Sequence, residues 1–293
     1  SEYYGTIKES GIGLACEEAA RIILSENRPF SMETAACDEE YEPSSEYDSS
    51  FALQIFAARE AVLKILAKES LSIHEKLIVI LDMGSKIQQC INTDEYDNIK
   101  SVVNDYLKEG IAHTLDETRN LSDSGQFEDI SLQQGIRQIL YPYEEMEVLN
   151  PEWEVILKDI IDSLFEQMSD EEYNILNEEF GTYMVSRAYE YRQLLEYLVF
   201  RYFAKSIYDY DFLGKCQMLV TNFFVIRQMD IIRWLDNHRE YSFKDRMDVV
   251  HIFSRQVEYS EDNIENLYED FIFDDIFKTD SLIAILWIDS ENI

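Results

Sequence analysis

Glycine and proline are scarce in this chain, nine and four residues in 293. So few turn formers exclude a many-stranded sheet and favour long helices. Positive charge is also short. Lysine and arginine number 25 against 59 aspartates and glutamates, a formal charge of −34. Nucleic acid and anionic membrane surfaces both need clustered Lys and Arg, so the expectation is no nucleic acid and no membrane. A basic partner is permitted. The four cysteines, Cys16, Cys37, Cys90 and Cys216, are far apart. They form no CxxC motif and fit a reducing, cytoplasmic setting. Cys90 and Cys216 fall in helical patterns and read as buried small hydrophobes.

The familiar catalytic signatures are absent too. There is no GxGxxG after a strand, no P-loop, no HExxH and no GxSxG elbow. The four histidines, His74, His113, His238 and His251, make no short-range ligand pattern. His74 lies in the first turn of an expected helix and reads as a surface residue. Carboxylate pairs are frequent, but chance supplies them in a chain this acidic. No secretory signal is visible, and the central helix has no uncharged run longer than Cys216–Ile226, far short of the roughly 20 residues a bilayer needs.

What the chain has in quantity is apolar and aromatic surface, concentrated from Arg192 to Glu261. In Asp211–Trp234, Phe212, Cys216, Leu219, Phe223, Ile226 and Asp230 share one helical face, and Val220, Phe224, Ile231 and Trp234 fill the next. A helix apolar over so much of its circumference is surrounded by other helices. A helix at Gln193–Tyr208 precedes it across an Asp-rich turn, and Ser242 with Asp245 opens another that runs to Tyr259. The expected fold is all-α, a multi-helix bundle of long antiparallel helices around a central buried helix pair.

The rest of the chain reads as further helices. Ser1–Leu14 is extended or irregular, Cys16–Leu24 a short helix and Arg28–Ser50 a connector. Phe51–Lys68 is helical, and Ser72 and Glu75 have capping-box spacing for a helix to Ile91. Thr93 is expected to begin a third. A loop at Asn120–Gly125 marks a subdomain boundary. Ser131–Leu140 is helical and should break or kink at Tyr141-Pro142. Asn150-Pro151 starts a helix to Met168, and Ser169 with Glu172 a second capping box. Ser260 caps a helix through Ile276, and Ser281–Ile288 is a final helix or a strand. Three regions result: a connector with a short helix (1–50), a first helical subdomain (51–120) and the central and C-terminal bundle (121–293). The opening SEYYG, with no initiating methionine, suggests a fragment.

Two polar constellations stand out. Arg227, Asp230 and Arg233 are spaced so that the acid can reach both bases. They read either as a structural ion pair or as the wall of a polar, ligand-sensing pocket. His251, Ser254, Arg255 and Glu258 form a polar stripe, with an Arg–Glu pair three residues apart.

Three segments together resemble the flagellin lysine-N-methylase family. They are EYYGTIKESGIGLACEEAARIIL (Glu2–Leu24), LLEYLVFRYF (Leu194–Phe203) and HIFSRQVEYSEDNIENL (His251–Leu267). They are similar to the family's Ser-Cys-x-Glu-Ala-Ala-Arg, Tyr-Leu-Val-x-Arg and Ser-Arg-x-x-Glu-His-Ser-x-x-Asn runs, in the same order. Tyr259 departs from the family's His. The resemblance implies N-methylation of flagellin lysines with S-adenosylmethionine as donor. It also implies an iron–sulfur cluster or other metal on a cysteine-rich segment upstream of Ser1. Cys16 matches the family's cysteine and is either the last ligand or neighbour of that cluster, or a buried thiol. Tyr197, Arg201, Ser254, Arg255 and Glu258 match family positions and are expected to share a pocket or a core polar network. The other reading is a non-catalytic helical module that grips flagellin or another basic or helical partner.

Overall fold

The computed structural model describes residues 1–293 except 6, 29, 34, 37–47, 124–129 and 292–293, and gives no side-chain placement for 121–123 or 291. The fold is all-α apart from one small hairpin, in which β1 (Glu2–Tyr4) pairs antiparallel with β2 (Ile7–Glu9). Helices α1 (Glu17–Leu24), α2 (Ser49–Leu66), α3 (Ile73–Asn92), α4 (Ile99–Asp105) and α5 (Ile111–Asp123) follow. Next come α6 (Leu132–Glu144), α7 (Pro151–Ile160), α8 (Asp170–Met184), α9 (Ala188–Tyr202) and the single turn α10 (Ser206–Asp209). The chain closes with α11 (Phe212–Asp236), α12 (Phe243–Phe253), α13 (Glu261–Phe273) and α14 (Thr279–Glu291).

Helix α11 is the axis of the molecule. From Gly214 to Ile232 every residue is buried. It packs on α3, α6, α7, α9, α12, α13 and α14, most extensively on α3. The close approach to α3 depends on Gly84, where an added Cβ would lie 2.5 Å from Cys216 Sγ. One apolar core runs from Tyr4 through α2, α3, α9 and α11 to Trp287.

The expected caps are present. Ser72, Ser169 and Ser242 each close a capping box, and Asn150 and Asp211 cap α7 and α11 with their side chains. Three local expectations need correction, and one left open is settled. Thr93 ends α3 rather than starting a helix, and α4 begins only at Ile99. Helix α6 runs through Pro142 to Glu144, because the ring falls in the last turn where little of the hydrogen-bond ladder is left to lose. Asn120 is helical, since α5 continues to Asp123; Gly125, at the end of the expected loop, lies outside the described residues. Ser281–Ile288 resolves as helix, within α14. Cys37 and most of the expected connector also lie outside the described residues.

Candidate functional site

Four of the predicted site residues come together where α9 meets the turn that extends α12. That turn, Ser254–Glu258, is a π-helical segment, a widened turn of the kind often found at functional sites. Tyr197 on α9 donates its hydroxyl to Glu258 Oε2 at 2.8 Å, and Tyr202 donates to the same oxygen at 3.2 Å. Burial pushes the Glu258 carboxyl above its ordinary value. The hydroxyls of Ser254, Tyr197 and Tyr202 and the charge of Arg201 oppose that shift without cancelling it. Oε1 of the same carboxylate is buried and has no hydrogen-bond partner. A buried acceptor left bare costs free energy, which the Ser254, Tyr197 and Tyr202 hydroxyls and the Arg201 charge around the carboxylate offset in part.

The N-terminal segment closes over this group. Leu14 N–H approaches Tyr197 Oη at 3.4 Å, and Arg201 donates to Glu2 Oε1 at 3.0 Å. Arg59 on α2, almost fully buried, grips Glu9 with both terminal nitrogens, at 2.7 and 2.5 Å. Such a bidentate fork fixes geometry as well as charge. It sets the hairpin down against α2 and α9. Helix α1 then packs on α9 and α12. Cys16, the residue before α1, is exposed, which removes the buried-thiol alternative.

The remaining predicted residues lie elsewhere or point away. His251 is partly buried, with an unpartnered Nδ1. Arg255 is exposed and makes no ion pair with Glu258 among the described residues, because Glu258 turns inward toward the tyrosines. Tyr259, the departure from the family pattern, is 71% exposed. Asp230 pairs with neither Arg227 nor Arg233. Its partners are Arg246 at 2.6 Å, the Tyr191 hydroxyl at 2.6 Å and the Tyr241 hydroxyl. Burial pushes the Asp230 carboxyl up, and Arg246 and the two phenols pull it back. Glu190 takes the other side of Arg246 at 2.9 Å.

Arg227 faces the opposite way. It donates to Asn177 Oδ1 and its backbone oxygen, at 3.0 and 3.1 Å, and lies 4.0 Å from Asp289 on α14. His74 is not a surface residue. It is buried, and its Nε2 lies 2.6 Å from Asp289 Oδ2. These two networks tie helices together, and they separate the residues that α11 carries one turn apart.

Sequence reasoning missed Tyr202, Arg246 and Asp289. Two of them leave a signal. Arg246 stands on the helical face of Val249, Val250 and Phe253, and Asp289 on that of Leu282, Ile285 and Leu286, all buried. A charge at an apolar-face position points to a buried partner.

Among the described residues no group of three or more His, Cys, Asp or Glu side chains could hold a metal ion. Cys16 is therefore a lone thiol there, and the described residues do not fit a metal cluster. No helix among them is long and apolar enough to cross a membrane.

The family model of the FliB lysine N-methylase C-terminal domain matches residues 59–285. The chain belongs to that family. Comparison with curated proteins and with solved structures gives no match. In this FliB-type domain, Tyr197, Arg201, Ser254 and Glu258 all fall inside the matched span, whereas Cys16 and the hairpin precede it.

Proposed function

We propose that this chain is the helical portion of a flagellin lysine N-methyltransferase that uses S-adenosylmethionine as donor. The family match across residues 59–285 carries the reading. The donor supplies an electrophilic methyl group. The acceptor amine must first be neutral, and both desolvation and a placed base favour loss of the ammonium proton.

Glu258 takes that role in this reading. Its bare Oε1 accepts from the lysine ammonium, and its raised affinity for a proton makes it a better base than an ordinary carboxylate. Tyr197 and Tyr202 hold Oε2 and so aim Oε1. Arg201 steadies the carboxylate and ties it to the N-terminal segment through Glu2. Among the described residues Cys16 would contribute at most one ligand to the cluster that the resemblance implies.

The test is methyl transfer from labelled S-adenosylmethionine to the cognate flagellin by the metal-loaded, full-length protein, followed by mass spectrometry. Lysine methylation is the expected result, and its complete absence would overturn the reading. Glu258→Gln should lower kcat by about 10²-fold or more, the usual weight of a general base. Unchanged kcat would remove Glu258 from the role and leave the reaction class standing.

A further inference from the structure

The chain between the hairpin and α1 crosses the face of α9 that carries Tyr197 and Phe200. Ser10–Gly13 is exposed and belongs to neither helix nor strand. An added Cβ at Gly11 would sit 2.7 Å from the Phe200 ring, and one at Gly13 would sit 4.0 Å from Tyr197 Oη. Glycine permits this close approach of backbone to ring. Leu14 then gives its N–H to Tyr197 Oη, the hydroxyl that also holds Glu258 Oε2. Between the two glycines stands a single isoleucine, Ile12, 60% exposed.

Both ends of this crossing are anchored. Before it, Tyr4 is buried with its ring 6.1 Å from that of Phe56 and 5.8 Å from that of Tyr208, and the Tyr208 hydroxyl donates to the Tyr3 backbone oxygen at 2.9 Å. After it, the Leu14 side chain is buried and α1 packs on α9 and α12. The crossing itself is held by Glu9 on the buried Arg59 and by the Gly13–Leu14 peptide. That peptide's N–H meets Tyr197 Oη at 3.4 Å, and its carbonyl accepts from Cys16 N–H at 3.0 Å. An N–H···O separation of 3.4 Å is longer than a well-formed hydrogen bond. A short exposed segment with glycines inside and anchors outside can open locally, without unfolding the helices beneath it.

We propose that Glu9–Leu14 is a flap over the Glu258 group, latched shut by Glu9 on Arg59, and that it lifts to admit a substrate side chain. Glu258 Oε1 is buried, so a group arriving from solvent reaches it only when something above it moves. The segment bonded to Tyr197 is the piece free to do so, since α9 and the Ser254–Glu258 turn belong to the packed core. Taking the entering group to be a lysine rests on the function proposed above; the flap itself does not. A closed resting state lowers apparent affinity by the fraction of molecules that are open. Releasing the latch therefore tightens substrate binding, whereas loss of a merely structural ion pair does not.

Amide hydrogen exchange of the 293-residue chain, read at single-residue resolution by fragmentation mass spectrometry, tests the flap. Glu9→Gln should speed exchange of the Leu14 amide by about tenfold or more, the weight of a hydrogen bond to a charged group. Amides of α9 and α11 should keep the parent rates. Glu9→Gln also leaves the buried Arg59 without its anion, so Arg59→Met/Glu9→Gln, which removes both charges, is measured beside it. The double variant decides the matter if circular dichroism shows that the single one has lost its fold. Leu14 exchange at the parent rate, or faster exchange shared by α9 and α11, would overturn the proposal.

A second measurement separates the flap from the reaction. In the full-length enzyme acting on flagellin, Arg59→Met/Glu9→Gln should lower KM for flagellin by about threefold or more, because more molecules stand open. Methylation with KM unmoved or raised overturns the gating of substrate by this segment. No methylation by the parent protein overturns the flagellin reading, while the exchange result stands by itself.

Discussion

Arg246 on α12 places Nη1 2.6 Å from Asp230 Oδ2 on α11, with both side chains essentially excluded from solvent. The contact explains why Asp230 ignores the arginines three residues before and after it on its own helix. Arg227 turns instead to Asn177 and Asp289, on the other side of α11. Across two packed helices, Arg246 meets Asp230 in a site already furnished with the hydroxyls of Tyr191 and Tyr241. It stacks on the same two rings, with 4.5 and 5.4 Å from the guanidinium carbon to their centroids. Removing one partner of a buried pair leaves a bare charge, which costs about 3–5 kcal/mol. Arg246→Met and Asp230→Asn should each destabilise strongly in urea unfolding, and the double variant should lose clearly less than the sum. Strict additivity would show that the pair is not coupled.

Much of the fold was legible because its signals are local. Capping boxes at Ser72, Ser169 and Ser242 are four-residue patterns, and α11 announces itself by apolar residues on every face. The site was legible in part. Ser254 and Glu258 were singled out by spacing, as part of a polar stripe, and Tyr197 and Arg201 by resemblance. Their meeting is a tertiary event: Tyr197 and Glu258 are 61 residues apart. The misplaced pairings of Asp230, Arg227 and Arg255 share one cause. Same-helix spacing says which groups can meet, whereas packing decides which groups face inward. His74 shows the same limit. Its position in a first turn reads as exposed until α14 brings Asp289 against it.

Glu258 and Asp289 should respond to pH with opposite signs. Folding raises the affinity of Glu258 for a proton, so its contribution to stability is fully present below its unfolded value and is lost as pH rises through its folded one. At neutral pH the buried, incompletely paired carboxylate is a net cost. Glu258→Gln should therefore raise the neutral-pH stability relative to the parent, with the gain shrinking toward acid pH. A residue kept for chemistry shows this trade, and one kept for stability does not. Chemical unfolding of both proteins at neutral and at progressively more acid pH reads it out. A destabilised Glu258→Gln would make the carboxylate structural.

For Asp289, burial pushes the carboxyl up, but Arg227, His74 and Asn177 outweigh it and hold the group down at about 2. A lowered value stabilises the fold above the unfolded carboxylate range and is lost as pH falls toward 2. The span amounts to about 2 kcal/mol, an order-of-magnitude figure for a buried group. Asp289→Asn should cost that much or more at neutral pH, since it also strips Arg227 and His74 of their anion. The difference from the parent should narrow as the solution is acidified below the ordinary aspartate range. A difference that stays constant down to about pH 2.5, well below an ordinary Asp value, would contradict the assignment.

Cysteine labelling separates the thiols by position. Cys16 is exposed at the start of α1, whereas Cys90 and Cys216 are buried, and burial pushes the Cys216 thiol far above its ordinary value. Thiolate and access together set the rate of alkylation. In a Cys37→Ser background, native protein should therefore alkylate at Cys16 quickly and at Cys216 only on unfolding. The comparison that matters is with the same protein after incubation with ferrous iron or zinc. A ligand thiolate is occupied by its metal and shielded from the reagent, so Cys16 should become protected on loading and reactive again after chelation. Protection that follows the metal makes Cys16 a ligand. An unchanged rate leaves it a bystander beside the hairpin, and the task of Arg59 and Glu9 is then to hold the N-terminal segment over Glu258 rather than to present a metal to it.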